Sequence, residues 1–493
     1  MLSQLSQSRW DEGAAAHLLS RAGFGGTIEE ITQVHGKGLD RAVHDLLEPD
    51  FFACEPNAPA WAQPRDLRSI RMEARAAKRS GDKAKLQEER QMEGEQLLDL
   101  RRWWMDWMGA TPAPLIEKMT LFWHGHFATS AEKVTDGYWM WRQNDTFRRY
   151  ALGNFVSLTK EMSRDPAMMI YLDLPQSRRE HPNENWVREL MELFTVGIGN
   201  YSEQDVRESA RAFTGYRLSF ATQQFWFSRK EHDDRPKTFL GRKGNFNGDD
   251  IIDILTKQPA CAQFIGKKLC RYFINDDPAP TLVDAVAASL RAHNFEIKPV
   301  LREIFCSAEF YAPPNMRSQI KSPAQFLVQT CRVLGCELPA PPIAQAAMRQ
   351  MGQLLFAPPN VKGWDGGKSW ISTSTLLFRN NFANYLINGD ALLPEAGRGK
   401  GGDRGVKAGA RAIVAQQFHR EPVNVGAMAP PEIRDNPDKL VTQLSRRVLQ
   451  ADPEQPDREA FLKFLGAHNG DTSDATIRGL LHLMMSTPEY QLT

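Results

Sequence analysis

The chain is expected to be mainly α, a multi-helix protein with a small β ribbon and a duplicated helical module. Three observations lead there: helix-capping signatures recur ahead of amphipathic runs, period-two alternation is confined to one stretch, and two distant segments share a pattern.

In chain order, Thr27 with Glu30 forms a capping box before "IEEITQVHGKGLDRAVHDLL". From Arg65 to Trp107 the composition is helix-forming and breaks only near Ser80, Gly81 and Asp82, which predicts a helical hairpin with a charged outer surface. In "NENWVRELMELF", at about 100° per residue, Glu184, Asn185, Arg188, Glu189 and Glu192 fall on one arc, with Trp186, Val187, Leu190, Met191, Leu193 and Phe194 opposite. Gly197 and Gly199 supply the next turn, and Ser202 with Asp205 caps the following helix up to Gly215. Alternation in "YRLSFATQQFWFS", Tyr216 to Ser228, predicts the ribbon.

The repeat lies farther on. "LCRYFINDDPAP" from Leu269 matches "LSRRVLQADPEQP" from Leu444, "LRAHN" matches "LGAHN", and "IKPVLREIFCSAEFY" parallels "IRGLLHLMMSTPEYQ". Its two His-Asn pairs, His293-Asn294 and His468-Asn469, are expected to be turns or caps. The organisation that follows is an N-terminal helical domain over 1–260, a helical module with a Trp/Gly-rich loop over 261–394, a Gly/basic linker over 395–428, and a C-terminal module over 429–493 resembling 265–313. The linker contains "EAGRGKGGDRGVKAGAR", too polar to bury a core of its own.

Composition removes several function classes. With 61 basic and 60 acidic side chains the net charge is +1, so no global field gathers nucleic acid or anionic lipid. No run of about 18 apolar residues occurs, and the N-terminus lacks a basic segment followed by an apolar one, so no membrane insertion and a cytoplasmic chain are expected. The six cysteines contain no C-x-x-C pair and read as buried thiols.

Four segments could carry chemistry. Glu184, Arg188 and Glu192 stand at successive i,i+4 spacings, and with Glu189 they could divide acid and base roles if their arc faces a cleft; on an open surface they form a solvated ladder. Arg207 and Arg211, also i,i+4, offer an anion fork or a solvated face. His124 and His126 point about 160° apart on a continuous helix and converge on a metal only after a break at Gly125. In "PPNVKGWDGGKSWIS", Lys362, Trp364, Asp365 and Trp370 form either a structural aromatic loop or a ligand loop that stacks on a sugar ring. Its Gly-Lys-Ser is not a phosphate loop, since that pattern needs Gly where Lys362 stands.

Taken together, "HLLSRAGFGG", "FWHGHFATS", "HPNENWVRELMELFTVGIGNYSEQDVRESARAFTG", "KTFLG", "IKPVLREIFCSAEFY", "IKSP", "NVKGWDGGKSWI" and "MSTPEYQL" resemble the bacterial family called domain of unknown function 1800. The resemblance implies a mostly helical protein with no established activity. It also implies a partner, since similar proteins are often encoded beside a phosphatase- or sulfatase-like protein with a twin-arginine export signal, with which this chain could be carried to the periplasm. Many relatives carry His where this sequence has Phe194, which weakens a metal centre on that helix.

The expectation is an enzyme acting on a carbohydrate-like polymer by carboxylate acid-base chemistry: Glu184, Glu189 and Glu192 as acid and base, Arg188 as organiser, Trp364 and Trp370 as a stacking platform, and no cofactor. The alternative is a non-catalytic helical partner or escort of the phosphatase-like protein. A weaker alternative is a hydrolase with a divalent metal at His124 and His126.

Overall fold

A computed structural model describes residues 2–50, 55–389 and 420–493, so the Gly/basic stretch Glu395–Arg411 and Cys54 lie outside the described residues. The protein is mainly α with two small antiparallel ribbons. Its packing forms two compact units that interleave along the chain. The first is Met1–Leu5, Val43–Ala312 and Leu354–Asp365; the second is Ser6–Ala42, Pro313–Gln353 and Gly366–Thr493. Units so composed differ from the consecutive segments suggested by composition, because each core collects helices from separated stretches.

In the first unit the helical hairpin is Leu67–Ser80 and Lys83–Ala110. Gly81 stops the first helix in the left-handed region at φ 75°, where a side chain is disfavoured, and the Asp82 carboxylate caps the second through the Lys85 amide. The core is aromatic: Trp104, Trp123, Trp139 and Trp186 are fully buried, and Phe127 stacks between Phe147 and Phe155. Inside it lies a buried ion pair. Arg148 donates to Glu117 from Nε at 2.6 Å and from Nη2 at 2.9 Å, Trp104 Nε1 donates to Glu117 at 2.7 Å, and Asn144 accepts from Arg148 at 2.9 Å.

The expected ribbon is β1, Tyr216–Ser219, against β2, Gln224–Phe227. A second, β3 (Lys237–Phe239) with β4 (Arg242–Gly244), was not expected. Three-residue strands are too short to show a period of two. Its turn places Leu240 and Gly241 in the left-handed region, and the Leu240 amide is held by Asp205 at 2.8 Å.

Each unit holds one copy of the repeated pattern. Helices Pro259–Phe273, Pro280–Ala292 and Ile297–Phe305 belong to the first; Pro437–Val448, Gln455–Ala467 and Asp474–Met485 belong to the second. His293 and His468 both stand at the C-cap of the middle helix, and Asn294 and Asn469 follow with φ of 50° and 54°. The His-Asn pairs are thus helix stops, with asparagine taking the conformation that other side chains avoid. The second unit also contains Glu12–Arg21 and Ile28–Lys37, the latter begun by the Thr27–Glu30 capping box, and the buried helix Pro323–Leu334. Among the described residues no helix is long and apolar enough to cross a membrane.

Candidate active site

The helix carrying Glu184 is not uniform. Asn185–Glu189 is α-helical, and Leu190–Thr195 continues as a π-helix in which the Thr195 hydroxyl donates to the Leu190 carbonyl. The wider turn takes more residues per revolution, so side chains beyond Leu190 drift from an arc drawn with an α period. Trp186, Val187, Leu190, Met191 and Phe194 are buried as that arc predicts, while Leu193 is only partly so. Arg188 bridges Glu184 at 3.1 Å and, in place of Glu192, Glu203 of the next helix at 2.8 Å. Glu192 instead accepts from the Tyr201 hydroxyl at 3.2 Å. Glu184, Arg188 and Glu203 have side chains 40%, 35% and 64% exposed, which makes them a solvated network. Glu189 is half-buried, and burial followed by the Glu192 charge raises its carboxyl above the ordinary range.

Arg207 and Arg211 do not form an anion fork. Arg207 is exposed beside Gln204, whereas Arg211 is consumed by Asp233 at 2.8 Å and Glu208 at 2.8 Å. Asp233, fully buried, also accepts from Arg235, and these hydrogen bonds hold it far below the usual carboxylate range.

The helix with the two histidines, Pro114–His126, runs through Gly125 without a break, so the rings stay apart. His124 is buried; its Nε2 accepts from the Phe356 amide at 3.1 Å, its ring packs edge-on against Trp104, and burial lowers its pKa to about 3. His126 lies 3.1 Å through Nε2 from the Phe194 carbonyl and 2.9 Å through Nδ1 from Lys268 Nζ. Since a carbonyl only accepts, Nε2 carries the proton and Nδ1 accepts a hydrogen bond from the lysine ammonium. Lys268 donates also to the Leu193 carbonyl at 3.1 Å, and burial, with Arg271 and Lys362 nearby, pushes it down to about 7. Both carbonyls belong to the π-helix. Among the described residues no group of three His, Cys, Asp or Glu side chains could hold a metal ion.

The Trp/Gly loop is divided between the units after Asp365. Trp364 lies 5.5 Å from His124, and Lys362 pairs with Asp365 at 2.7 Å in the open. Trp370 is 6% exposed, so its faces are covered and it offers no open stacking surface. Gly363 has a φ of 87°, and a Cβ there would collide with the Gly125 carbonyl oxygen. Gly363→Ala is expected to destabilise by about 2–3 kcal/mol, from clash and backbone strain together, read as a lowered urea midpoint.

One site escaped the sequence. A cavity of about 260 Å³ in the second unit is lined by basic and apolar residues; the first unit holds another, of about 220 Å³, built around carboxyl groups. Asp165 lines this second cavity with Glu161, Arg142 and Arg164, closed on one side by Gln224 and Phe225 of β2. Asp165 caps helix Pro166–Tyr171, its Oδ1 accepting from the Met168 amide at 2.8 Å and from Gln143 Nε2 at 2.6 Å. Burial raises its pKa from 3.8 to about 6. Arg164 is neutralised by both oxygens of Asp249, at 2.7 and 2.6 Å, while Arg142 donates to the Gln223 carbonyl at 3.1 Å. Trp226 and Phe227, next along β2, are exposed aromatics at 49% and 40%. The sequence signal was the Asp-Pro pair, which by itself marks only a capped helix start.

The chain matches no curated protein and no solved structure. It does match, over residues 17–492, the family described as protein of unknown function DUF1800. With nearly its whole length covered, this chain belongs to the DUF1800 family.

Proposed function

We propose that this chain is an enzyme that acts on a carbohydrate-like polymer by carboxyl acid-base chemistry, with Asp165 as the titrating group. The observation that carries the proposal is a carboxyl raised to about 6 in the wall of a cavity that also holds Glu161 and two arginines. A group titrating near neutrality can both accept and return a proton within one turnover, and the second carboxyl allows the roles to be divided. Phe225 in the wall, with Phe227 exposed two residues on and on the same face of the strand, supplies the aromatic surface on which sugar rings stack. Glu184 and Arg188 lie in a solvated network with Glu203, Glu192 accepts from Tyr201, and none of them takes a catalytic part in this proposal.

The test is release of reducing ends from a panel of neutral and acidic polysaccharides. Asp165→Asn should lower turnover by about 10²–10⁴, the span of one lost acid-base group, while Glu184→Gln stays near wild type. Unchanged turnover in Asp165→Asn overturns the assignment. A wild-type protein that turns over no polysaccharide favours the non-catalytic partner. That second reading has its own support in the open Glu184–Arg188–Glu203 network and in Ile198, a 77% exposed apolar side chain.

A further inference from the structure

The helix Pro323–Leu334 of the second unit ends in a way that joins two sulfurs. Gly335 is left-handed at φ 61°, its amide donates to the Arg332 carbonyl at 3.1 Å, and the Cys336 amide donates to the Cys331 carbonyl at 2.9 Å. On a continuing helix, side chains five residues apart diverge by about 140°. The glycine reversal instead folds Cys336 back over the last turn, and a stop with this pair of bonds brings the two side chains together. Both residues are thiols, and the Cys331 side chain hydrogen-bonds the Cys336 sulfur.

Their surroundings differ. Cys331 is buried at 4% exposure, whereas Cys336 is partly open to solvent. Arg420 lies beside Cys336; its Nη2 donates to the Glu337 carbonyl at 3.2 Å, while its Nη1 is buried with no hydrogen-bond partner among the described residues. A buried guanidinium N–H without an acceptor is costly, and a thiolate on Cys336 supplies an anionic one. The hydrogen bond from Cys331, and then the Arg420 charge, hold the Cys336 thiol below its ordinary range against the opposing effect of burial. Tyr385 and Tyr490, whose phenols lie near the pair, are both raised by burial and stay neutral. Cys261 and Cys270 have the opposite setting: both are fully buried, and burial raises them.

We infer that Cys336 and Cys331 form a peroxide-reactive thiol pair, with Cys336 as the attacking sulfur and Cys331 as the resolving one. The Cys336 thiolate attacks one oxygen of a peroxide; an S–O bond forms, the O–O bond breaks, and hydroxide leaves to take up the proton that the thiol gave to solvent. Sulfur loses two electrons and the peroxide gains them. The Cys331 sulfur then attacks the sulfenic acid, the S–S bond forms, and the S–O bond breaks to release water that carries the Cys331 proton. A partly open attacking thiol beside a cation, with the second thiol sheltered behind it, suits that order of events. The pair is independent of the Asp165 chemistry.

The test is brief exposure of the full chain to equimolar hydrogen peroxide, alkylation of the remaining thiols, and mass spectrometry of tryptic peptides. Trypsin cuts after Arg332, so a disulfide links the peptides 322–332 and 333–349, and dithiothreitol separates them. Cys336 should react about tenfold or more faster than Cys261, the internal control. Cys331→Ser should leave Cys336 as a sulfenic acid that dimedone traps, with no linked peptide. Arg420→Gln should slow the oxidation of Cys336 by about threefold or more with the Tm near wild type. Oxidation of wild-type Cys336 no faster than that of Cys261 overturns the inference, as does rapid oxidation that ends in sulfinic acid without the link to Cys331.

Discussion

Arg148→Met is expected to cost about 3–5 kcal/mol, enough to remove a large part of the stability of an ordinary domain. The guanidinium is Glu117's partner at two oxygens, and both side chains are out of solvent, at 2% and 0% exposure. With arginine gone, a carboxylate stays in an aromatic core with Trp104 Nε1 as its remaining donor. Glu117→Gln in the Arg148→Met background should recover most of the loss, since a neutral amide has no charge to desolvate and its oxygen still accepts from Trp104. Urea denaturation of the two single variants and the double decides the matter. Costs that simply add would mean the pair is not coupled.

The second large effect runs the other way and depends on pH. Asp165→Asn should stabilise the protein by about 3 kcal/mol above pH 7, because a carboxyl raised from 3.8 to about 6 makes ionisation cost the folded state that much. The sign follows from the two states. Below pH 3.8 the carboxyl is protonated both folded and unfolded, so the substitution gains nothing; between 3.8 and 6 the unfolded chain ionises first and the gain grows; above 6 it is complete. Asparagine keeps an Oδ1 for the Met168 amide and Gln143, and it caps a helix as well as aspartate does. Denaturant midpoints at pH 4 and pH 8 check it: a gain of equal size at both would show that ionisation is not its source. Stability gained where turnover is lost marks a group retained for chemistry.

Local signals in the sequence were legible. Thr27 and Ser202 cap where their spacings said, Gly81 and Asp82 divide the long hairpin, and the two His-Asn pairs stop their helices. What could not be read depends on partners far along the chain. The buried face around Trp186 follows from composition, but the switch to a π-helix at Leu190 coincides with carbonyls taken by His126 and Lys268, one from each side in sequence. Asp165 looks like any helix cap until residues 142, 143 and 225 close around it. Arg211 reads as an available cation until Asp233, on a later turn, takes it. Charge patterns tell which side chains could cooperate; desolvation decides which do, and that is set by the fold.

The interleaving of the two units has a consequence for inheritance. No single cut in the chain yields either one whole, because each is completed by a short return segment, Leu354–Asp365 in one case and Ser6–Ala42 in the other. Neither unit can be shuffled between genes as a cassette, and a truncation at either end damages more than the end it removes. A family match that spans residues 17–492 without subdivision is what such a chain should leave behind.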